Sequence, residues 1–419
     1  MRTNKLVNLG VKDKNVHPWI FMLLITPFGV VFGFVSVTLA FMFSKAGISL
    51  DDVAALVAAS LLPNILKFLW APLVDMTLSN KKWYLMSVLV SAAGIVLISL
   101  IPVKVESLTL LIVLVFLTNF AVTFLAMSTD SMMAYDTPPD MKGRAGGWMQ
   151  AGNLGGMGIG GGAGLFLAER LPANWMAGTI VAVACLFSSI GLLFLSEPQS
   201  TIRVFSMKQS LKNMNKDIIS VVKSKVGFIA LFLCFLPIGS GAASNLWSAL
   251  AGEWSASSNT VSLVIGTAGG IISALGCLLG GWICDRMDRR YAYIAFGLVQ
   301  AICAVGMGLS PRTETMYIIW TSLYAVSTGL TYAGFTAFVL EAMGTGAAAT
   351  KYNIFASLSN APIYFMIFID GWAHEHWNST GMLNVEAAIG IVGMLLFIVV
   401  IFFINRMNYF KVEVKEATA

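Results

Sequence analysis

The sequence predicts an all-α membrane protein with twelve transmembrane helices in two pseudo-symmetric six-helix bundles. Three observations predict it. Of 419 residues, 57% are hydrophobic and only 11% are charged, against about 25% charged in an ordinary soluble domain. Apolar runs of spanning length recur along the whole chain, each near the roughly 20 residues that cross a bilayer as a helix. Features of the first half return about 210 residues later, half the chain length. A chain this poor in charge cannot surround a core with a polar shell, so most of its surface faces lipid. No length remains for a separate soluble catalytic domain.

The first run, 19–43, follows a polar start holding Arg2, Lys5, Lys12 and Lys14. It is too long for a signal-peptide core and no small-residue cleavage site follows, so it reads as a retained helix. Runs at 53–75, 83–103, 107–133, 146–168 and 173–195 complete an N-terminal bundle over residues 1–195. Residues 196–226 form a connector in which Met207, Leu211, Met214, Ile218 and Val222 recur at helical spacing while Lys208, Lys212, Lys216 and Lys223 take other faces. That is the pattern of an amphipathic helix lying on the cytoplasmic leaflet. Runs at 227–250, 260–284, 291–310, 316–340, 350–370 and 383–404 then make a C-terminal bundle within 227–419.

Basic residues are retained on the cytoplasmic side of a membrane. With the N-terminus inside, 21 of the 26 Lys and Arg fall in inside segments, 4 fall in outside loops, and Lys67 lies within a span. The split predicts an even number of crossings, with both termini in the cytoplasm and the protein in a bacterial inner membrane. The net charge of +5 follows from this loop placement, and no basic face is left for nucleic acid. Cys185, Cys234, Cys277, Cys284 and Cys303 all sit in apolar runs and read as small core side chains. His374 and His376, beside Glu375 in a short outer loop, lack a convergent third ligand and read as solvated, so no metal and no cofactor is expected. Trp19, Trp83, Trp148, Trp175, Trp254, Trp372 and Trp377 fall near run ends, where interfacial anchoring explains them.

The duplication aligns features that composition does not force. Pro27 and Gly29 meet Pro237 and Gly239, and Asp75 at the end of the second run meets Asp285 at the end of the eighth. Asp285 sits in Gly281-Trp282-Ile283-Cys284-Asp285-Arg286-Met287-Asp288-Arg289-Arg290, and the first copy is an eroded Ala71-Pro72-Leu73-Val74-Asp75 followed by Lys81 and Lys82. This loop, its weaker partner and the six-connector-six layout resemble the major facilitator superfamily over nearly the whole chain. Within it, Lys67-Phe68-Leu69-Trp70-Ala71-Pro72-Leu73-Val74-Asp75 is similar to the signature of AmpG-type muropeptide permeases and their acetyl-coenzyme A transporter relatives. Thr129-Asp130 before Ala134-Tyr135, and Ala349-Thr350-Lys351-Tyr352, are similar to two further segments of that group. Ala134 and Asn153 stand where the group has an aspartate and an arginine. The resemblance implies the major facilitator fold and a secondary transporter whose spans one, four, seven and ten line a central site. In this sequence those spans offer Asn119, Thr123, Asn245, Trp247, Trp320, Tyr324, Thr328 and Tyr332 as substrate contacts, the last four at i, i+4 spacing. The alternative reading of that stripe is helix packing.

An ionisable group within a span costs about 2.5–3.5 kcal/mol on insertion scales unless it faces a cavity or a partner. Lys67 lies about 12 Å up the second helix from Asp75, and Asp130 occupies a comparable depth in the fourth. Asp130 is therefore the candidate proton carrier, with Lys67 as partner or substrate counter-ion; a permanent structural pair is the alternative. Glu341 mirrors Asp130 at an offset of 211 and is a candidate relay. Asp75, Asp285, Arg286, Arg289 and Arg290 lie at cytoplasmic helix ends, where carboxylates and guanidinium groups can clasp neighbouring helix termini and act as a gate. The glycine-dense fifth span, Gly152 to Gly164, is expected to pack closely, chiefly on the second half. No nucleophile, base and metal set converges, so no enzyme is expected. The predicted function is proton-coupled import of a small or medium organic solute, muropeptide-like or other, by a monomer in lipid. The alternatives are a drug or metabolite exporter and a non-transporting sensor.

Overall fold

A computed structural model describes residues 17, 19–136, 142–195, 225–284, 286–343, 354–355 and 357–406, with single positions 216, 219 and 223 of the connector. All elements among them are helical. Before the connector come α1 (Trp19–Lys45), α2 (Leu50–Leu69), α3 (Ala71–Met76), α4 (Asn80–Leu100), α5 (Leu108–Asp136), α6 (Lys142–Gly158, continued through Ile159–Ala163 and Gly164–Ala168) and α7 (Asn174–Leu193). After it come α8 (Lys225–Leu233), α9 (Ser258–Cys284), α10 (Arg289–Leu309), α11 (Glu314–Met343) and α12 (Asn360–Arg406). Eight helices among the described residues are long and apolar enough to cross a membrane. The amphipathic pattern read in the connector lies outside the described residues apart from those three positions.

Short polar residues start the helices where the chain leaves its loops. Ser49 and Ser79 accept from the amides of Asp52 and Lys82, and Ser257 and Asp288 do the same for Thr260 and Arg290, each supplying a partner to an otherwise orphaned donor. Prolines and glycines end or bend them. The run 53–75 is not one helix: Pro72 has no N–H to bond the Phe68 carbonyl, so the chain tightens to a 3-10 turn at Lys67–Leu69 and restarts at Ala71. The run 227–250 also breaks. After Leu233 the chain passes through Pro237 and two left-handed glycines, Gly239 (φ 57°) and Gly241 (φ 72°), before one-turn helices from Ala242 to Trp254. Its repeat mate Pro27 stays inside an unbroken α1. Residues 371–376, read as loop, continue the α12 helix to a kink at Trp377 and Asn378.

The duplication has a structural echo. Tyr84 of α4 donates to the Leu24 carbonyl of α1 at 2.9 Å, and Tyr293 of α10 donates to the Ile238 carbonyl of the broken seventh run at 2.8 Å.

The glycines of α6 divide between two faces. Gly152, Gly156 and Gly160, four residues apart, sit against the backbone carbonyls of Met22, Thr26 and Val30 in α1, while Gly158 and Gly162 meet Gly266 and Ser262 of α9. Most of this close packing is therefore inside the first group of helices, which corrects the expectation that it serves the second half. A Cβ at Gly160 would overlap the Val30 backbone, which cannot swing aside as a side chain can. Gly160→Ala is expected to cost about 1–3 kcal/mol of stability. Gly155→Ala, with nothing within 4 Å, should leave the thermal unfolding midpoint of the purified protein unchanged or slightly raised.

The hydrogen bonds joining described residues of the two groups gather at the end that carries residues 46–49, 169–173 and 255–257. Ser248 donates to the Ser36 carbonyl and Ser262 to that of Gly162, both at 2.7 Å, and Ser44 donates to that of Ala249. The Leu50 amide donates to Glu375 at 3.1 Å, and Arg170 to Asn259 at 2.9 Å. One apolar core includes residues of both groups. Toward the opposite end the clusters are separate: Val74, Phe124 and Met127 in the first group, Cys284, Ala292, Phe296 and Leu330 in the second. The two groups are thus sealed to each other at one end, hereafter the closed end.

Candidate functional site

The break in α2 positions Lys67. Its side chain leaves the helix where the 3-10 turn begins, and Trp70 at the end of that turn donates its indole N–H to Thr123 of α5 at 3.0 Å. The Trp70 ring also packs on Phe120, 4.8 Å between centroids. Asp130 lies seven residues beyond Thr123, about two turns along α5. Lys67 and Asp130 attract each other electrostatically, although no direct ion pair within 4.0 Å joins them among the described residues. Both keep part of their surface accessible. On the same two helices Asn64 Oδ1, Asn119 Oδ1 and Ser128 Oγ are buried polar atoms without a hydrogen-bond partner among the described residues.

The other candidate contacts are divided. Asn119 donates to the Val115 carbonyl at 2.9 Å, and Thr123 to that of Phe120 at 2.7 Å. Asn245 caps its own turn through the Ala242 carbonyl at 3.2 Å. Trp247 is buried edge-on against Tyr324, centroids 5.2 Å apart. The expected ring-stacking stripe on α11 does not hold together as one face. Trp320 packs its ring on Gly306 of α10, Tyr324 is buried against Glu386, Thr328 bonds the Tyr324 carbonyl, and Tyr332 leaves half of its surface accessible. A shift of four residues turns a helix by about 40°, so twelve residues carry the stripe from one neighbour to another.

Of the gating candidates, Arg286, in the turn after α9, stacks over Trp282 of that helix at 4.0 Å and bonds its carbonyl at 3.0 Å. Arg290 receives the Asp288 cap on its amide, and Arg289 starts α10 half-buried. Asp285 lies outside the described residues, and for Asp75 and Glu341 only the helical backbone is described.

Two groups of acidic residues carry more than the sequence suggested. Asp370 and Glu386, on the two limbs of α12, are both buried. Glu386 Oε1 stands 2.5 Å from the Tyr324 hydroxyl and accepts from the Ala243 amide at 3.3 Å. Asp370 fell on the last residue of an apolar run and Glu386 inside the next; a carboxylate within such a run was the available signal. At the closed end His374 is not solvated but bonds Glu253 at 2.5 Å, and Ser379 donates to the same carboxylate. Arg312 covers Trp254 at 3.8 Å, so this tryptophan is core and not an interfacial anchor. His374, Glu253 and Glu375 line a cavity of about 340 Å³ between the two groups, together with Ser44, Ser49 and Leu50.

Burial alone would push the Glu253 carboxyl up, but bonds from His374 and Ser379 and the charges of His374 and Arg312 outweigh it and hold the group below its ordinary value. A depressed carboxylate contributes stability that is present at neutral pH and lost as pH falls through its folded value. The thermal midpoint of the wild type is therefore expected to fall as the pH drops below about 4.5, the ordinary glutamate value. In Glu253→Gln the midpoint is lower at pH 7 and this part of the pH dependence is absent.

The profile of the Major Facilitator Superfamily matches residues 20–365. The chain belongs to this superfamily. It is 23% identical over 359 residues to the anhydromuropeptide permease of Escherichia coli K12, an alignment covering 80% of this chain and 70% of the permease. Its fold is shared with a D-xylose–proton symporter (TM-score 0.67, 14% identity, 90% of this chain and 96% of that one). It is shared also with a POT family transporter solved with a thioalcohol-conjugated peptide (TM-score 0.71, 10% identity, 92% and 96%). Membership of this transporter superfamily, with the apolar helices, makes this a multi-pass integral membrane protein.

Proposed function

We propose that this facilitator imports a muropeptide-like or related organic solute together with protons, exposing a central cavity to each side of the membrane in turn. The reading includes twelve spans, with bundles at 1–195 and 227–419 and the connector at 196–226 on the cytoplasmic face. It puts both termini in the cytoplasm of a bacterial cell, with a monomer in the inner membrane. In that orientation the closed end faces outward, and the cavity opens to the cytoplasm. The observation that carries the proposal is the pair Lys67 and Asp130: two opposite charges deep in the first bundle, attracting but not clasped, and partly accessible. A charge pair that only locked packing would be expected to close into direct contact and lose its water. Asp130 is the proton carrier and Lys67 its counter-charge or the partner of an anionic solute. Glu341 is a second relay. Asp75, Asp285, Arg286, Arg289 and Arg290 close the cytoplasmic end when the outer end opens. Asn119, Thr123, Asn245, Trp247, Trp320, Tyr324, Thr328 and Tyr332 are the proposed solute contacts, of which Tyr332, Trp320 and Thr328 are the more accessible in this state.

The 23% identity to a permease whose name specifies anhydromuropeptide supports the solute class. The test is uptake of labelled anhydromuropeptide into proteoliposomes with an imposed pH gradient, acid outside. Accumulation that collapses with a protonophore is the expected result. Binding without flux would favour the sensor, and outward, gradient-driven extrusion would favour the exporter.

A further inference from the structure

Asp370 and Glu386 are two carboxylates buried in the second group of helices with no cationic side chain paired to them among the described residues. Asp370 is 0% exposed and neither of its oxygens has a hydrogen-bond partner among the described residues; Glu386 is 7% exposed and its Oε2 is likewise unpartnered. The two interact electrostatically with each other and with Tyr324. Burying an ionised carboxylate unpaired costs many kcal/mol, and burying two side by side costs more. Facing them are the Tyr324 hydroxyl of α11, Gln300 of α10 and the Ala243 amide of the broken seventh run. None of these is a cation.

The hydrogen bonds say what neutralises the pair. Backbone groups orient the Gln300 amide: its nitrogen donates to the Gly239 carbonyl at 3.2 Å and its oxygen accepts from the Gly241 amide at 2.8 Å. That oxygen then lies 2.8 Å from the Tyr324 hydroxyl, which also lies 2.5 Å from Glu386 Oε1. A hydroxyl has one proton to give. If Tyr324 gives it to Gln300, the contact with Glu386 needs a proton from Glu386. If Tyr324 gives it to Glu386, the Gln300 oxygen faces a lone pair.

We propose that Asp370 and Glu386 form a binding site for one exchangeable monovalent cation, a proton in the hydrogen-bond pattern seen, with sodium as the other ion that two carboxylates can take. The site is separate from Lys67 and Asp130 and does not depend on their role. Its occupancy reaches the closed end through a short mechanical path. Glu386 holds the amide of Ala243, in the first of the one-turn helices that run to Trp254, and further along these Ser248 and Ala249 bond α1. Loss of the cation would charge the pair and loosen this segment, so binding there biases which end is shut.

The purified full-length protein tests this by infrared spectroscopy of protonated carboxyl groups. Wild type at pH 7 is expected to show a carbonyl band of a protonated, hydrogen-bonded carboxylic acid that is lost in Glu386→Gln, altered in Asp370→Asn and moved to higher wavenumber in Tyr324→Phe. All three variants keep Asp130, so any band from that residue cancels in the differences. Replacing choline by sodium at constant ionic strength and pH 8 distinguishes the ions. A sodium-dependent rise in thermal midpoint that both carboxylate variants lose assigns sodium binding to the site. No sodium response, with the band present, assigns the proton alone. A band that is absent, or unchanged in Glu386→Gln and Tyr324→Phe, together with no sodium response, overturns the proposal. Should the carboxylate variants fail to fold, the Tyr324→Phe shift and the wild-type responses decide by the same criteria.

Discussion

Asp130→Asn is expected to abolish uphill accumulation while leaving downhill exchange in place. A pH step of one unit supplies about 1.4 kcal/mol per proton moved, enough for about tenfold solute accumulation for each proton coupled. With an amide at position 130 no proton is carried there, so the inside-to-outside ratio should relax to one whatever the gradient, while labelled solute still exchanges for unlabelled. A purely structural role predicts something else. Removing one partner of a clasped buried ion pair typically costs about 3–5 kcal/mol, and the double variant Lys67→Met with Asp130→Asn would recover much of it. Lys67 and Asp130 make no direct bond among the described residues and retain accessible surface. The stability loss in Asp130→Asn should accordingly fall short of that range, and the loss of accumulation should not be rescued by the second substitution. Thermal midpoints and accumulation ratios of the two single variants and the double, read as a cycle, separate the two roles.

The second large effect concerns the closed end. A Cβ on Gly371 of α12 would lie 2.7 Å from the Cβ of Ala54 in α2. Disulfides bridge Cβ atoms about 3.8 Å apart, so a small separation of these two helices brings cysteines at 54 and 371 into bridging geometry. With the five native cysteines replaced, Ala54→Cys with Gly371→Cys is expected to crosslink on oxidation, to lose essentially all transport, and to regain it with reductant. Each single variant should transport under both conditions. Full transport by the crosslinked protein would mean that this end never opens.

Much of this was legible in the sequence, for physical reasons that can be traced. The apolar runs report the bilayer directly, because lipid penalises charge whatever the tertiary packing. Lys67 and Asp130 stood out by the same penalty. The breaks were harder to see. Pro72 and Pro237 lie in runs of good hydropathy, yet Pro27 lies in one too and its helix is intact, so the local sequence does not say which proline interrupts. The α11 stripe misled because equal spacing on one helix does not mean one neighbour. Asp370 and Glu386 were obscured by placing the turn between the last two runs too broadly; the helix continues to a kink at Trp377 and carries Asp370 into the core. The partnership of His374 with Glu253 joins residues 121 apart, and no pattern within either segment announces it.

Alternating access is tested most directly by two distances measured in one preparation. Spin labels at the exposed positions Lys45 and His376 report the closed end, and labels at Thr77 and Arg286 report the other. Electron–electron resonance on the liganded and unliganded protein, with anhydromuropeptide as the ligand and at pH 5 and pH 8, should show reciprocal populations: whenever the first pair separates, the second approaches. Distances that both stay fixed, or that lengthen together, would contradict a carrier that opens one end by closing the other.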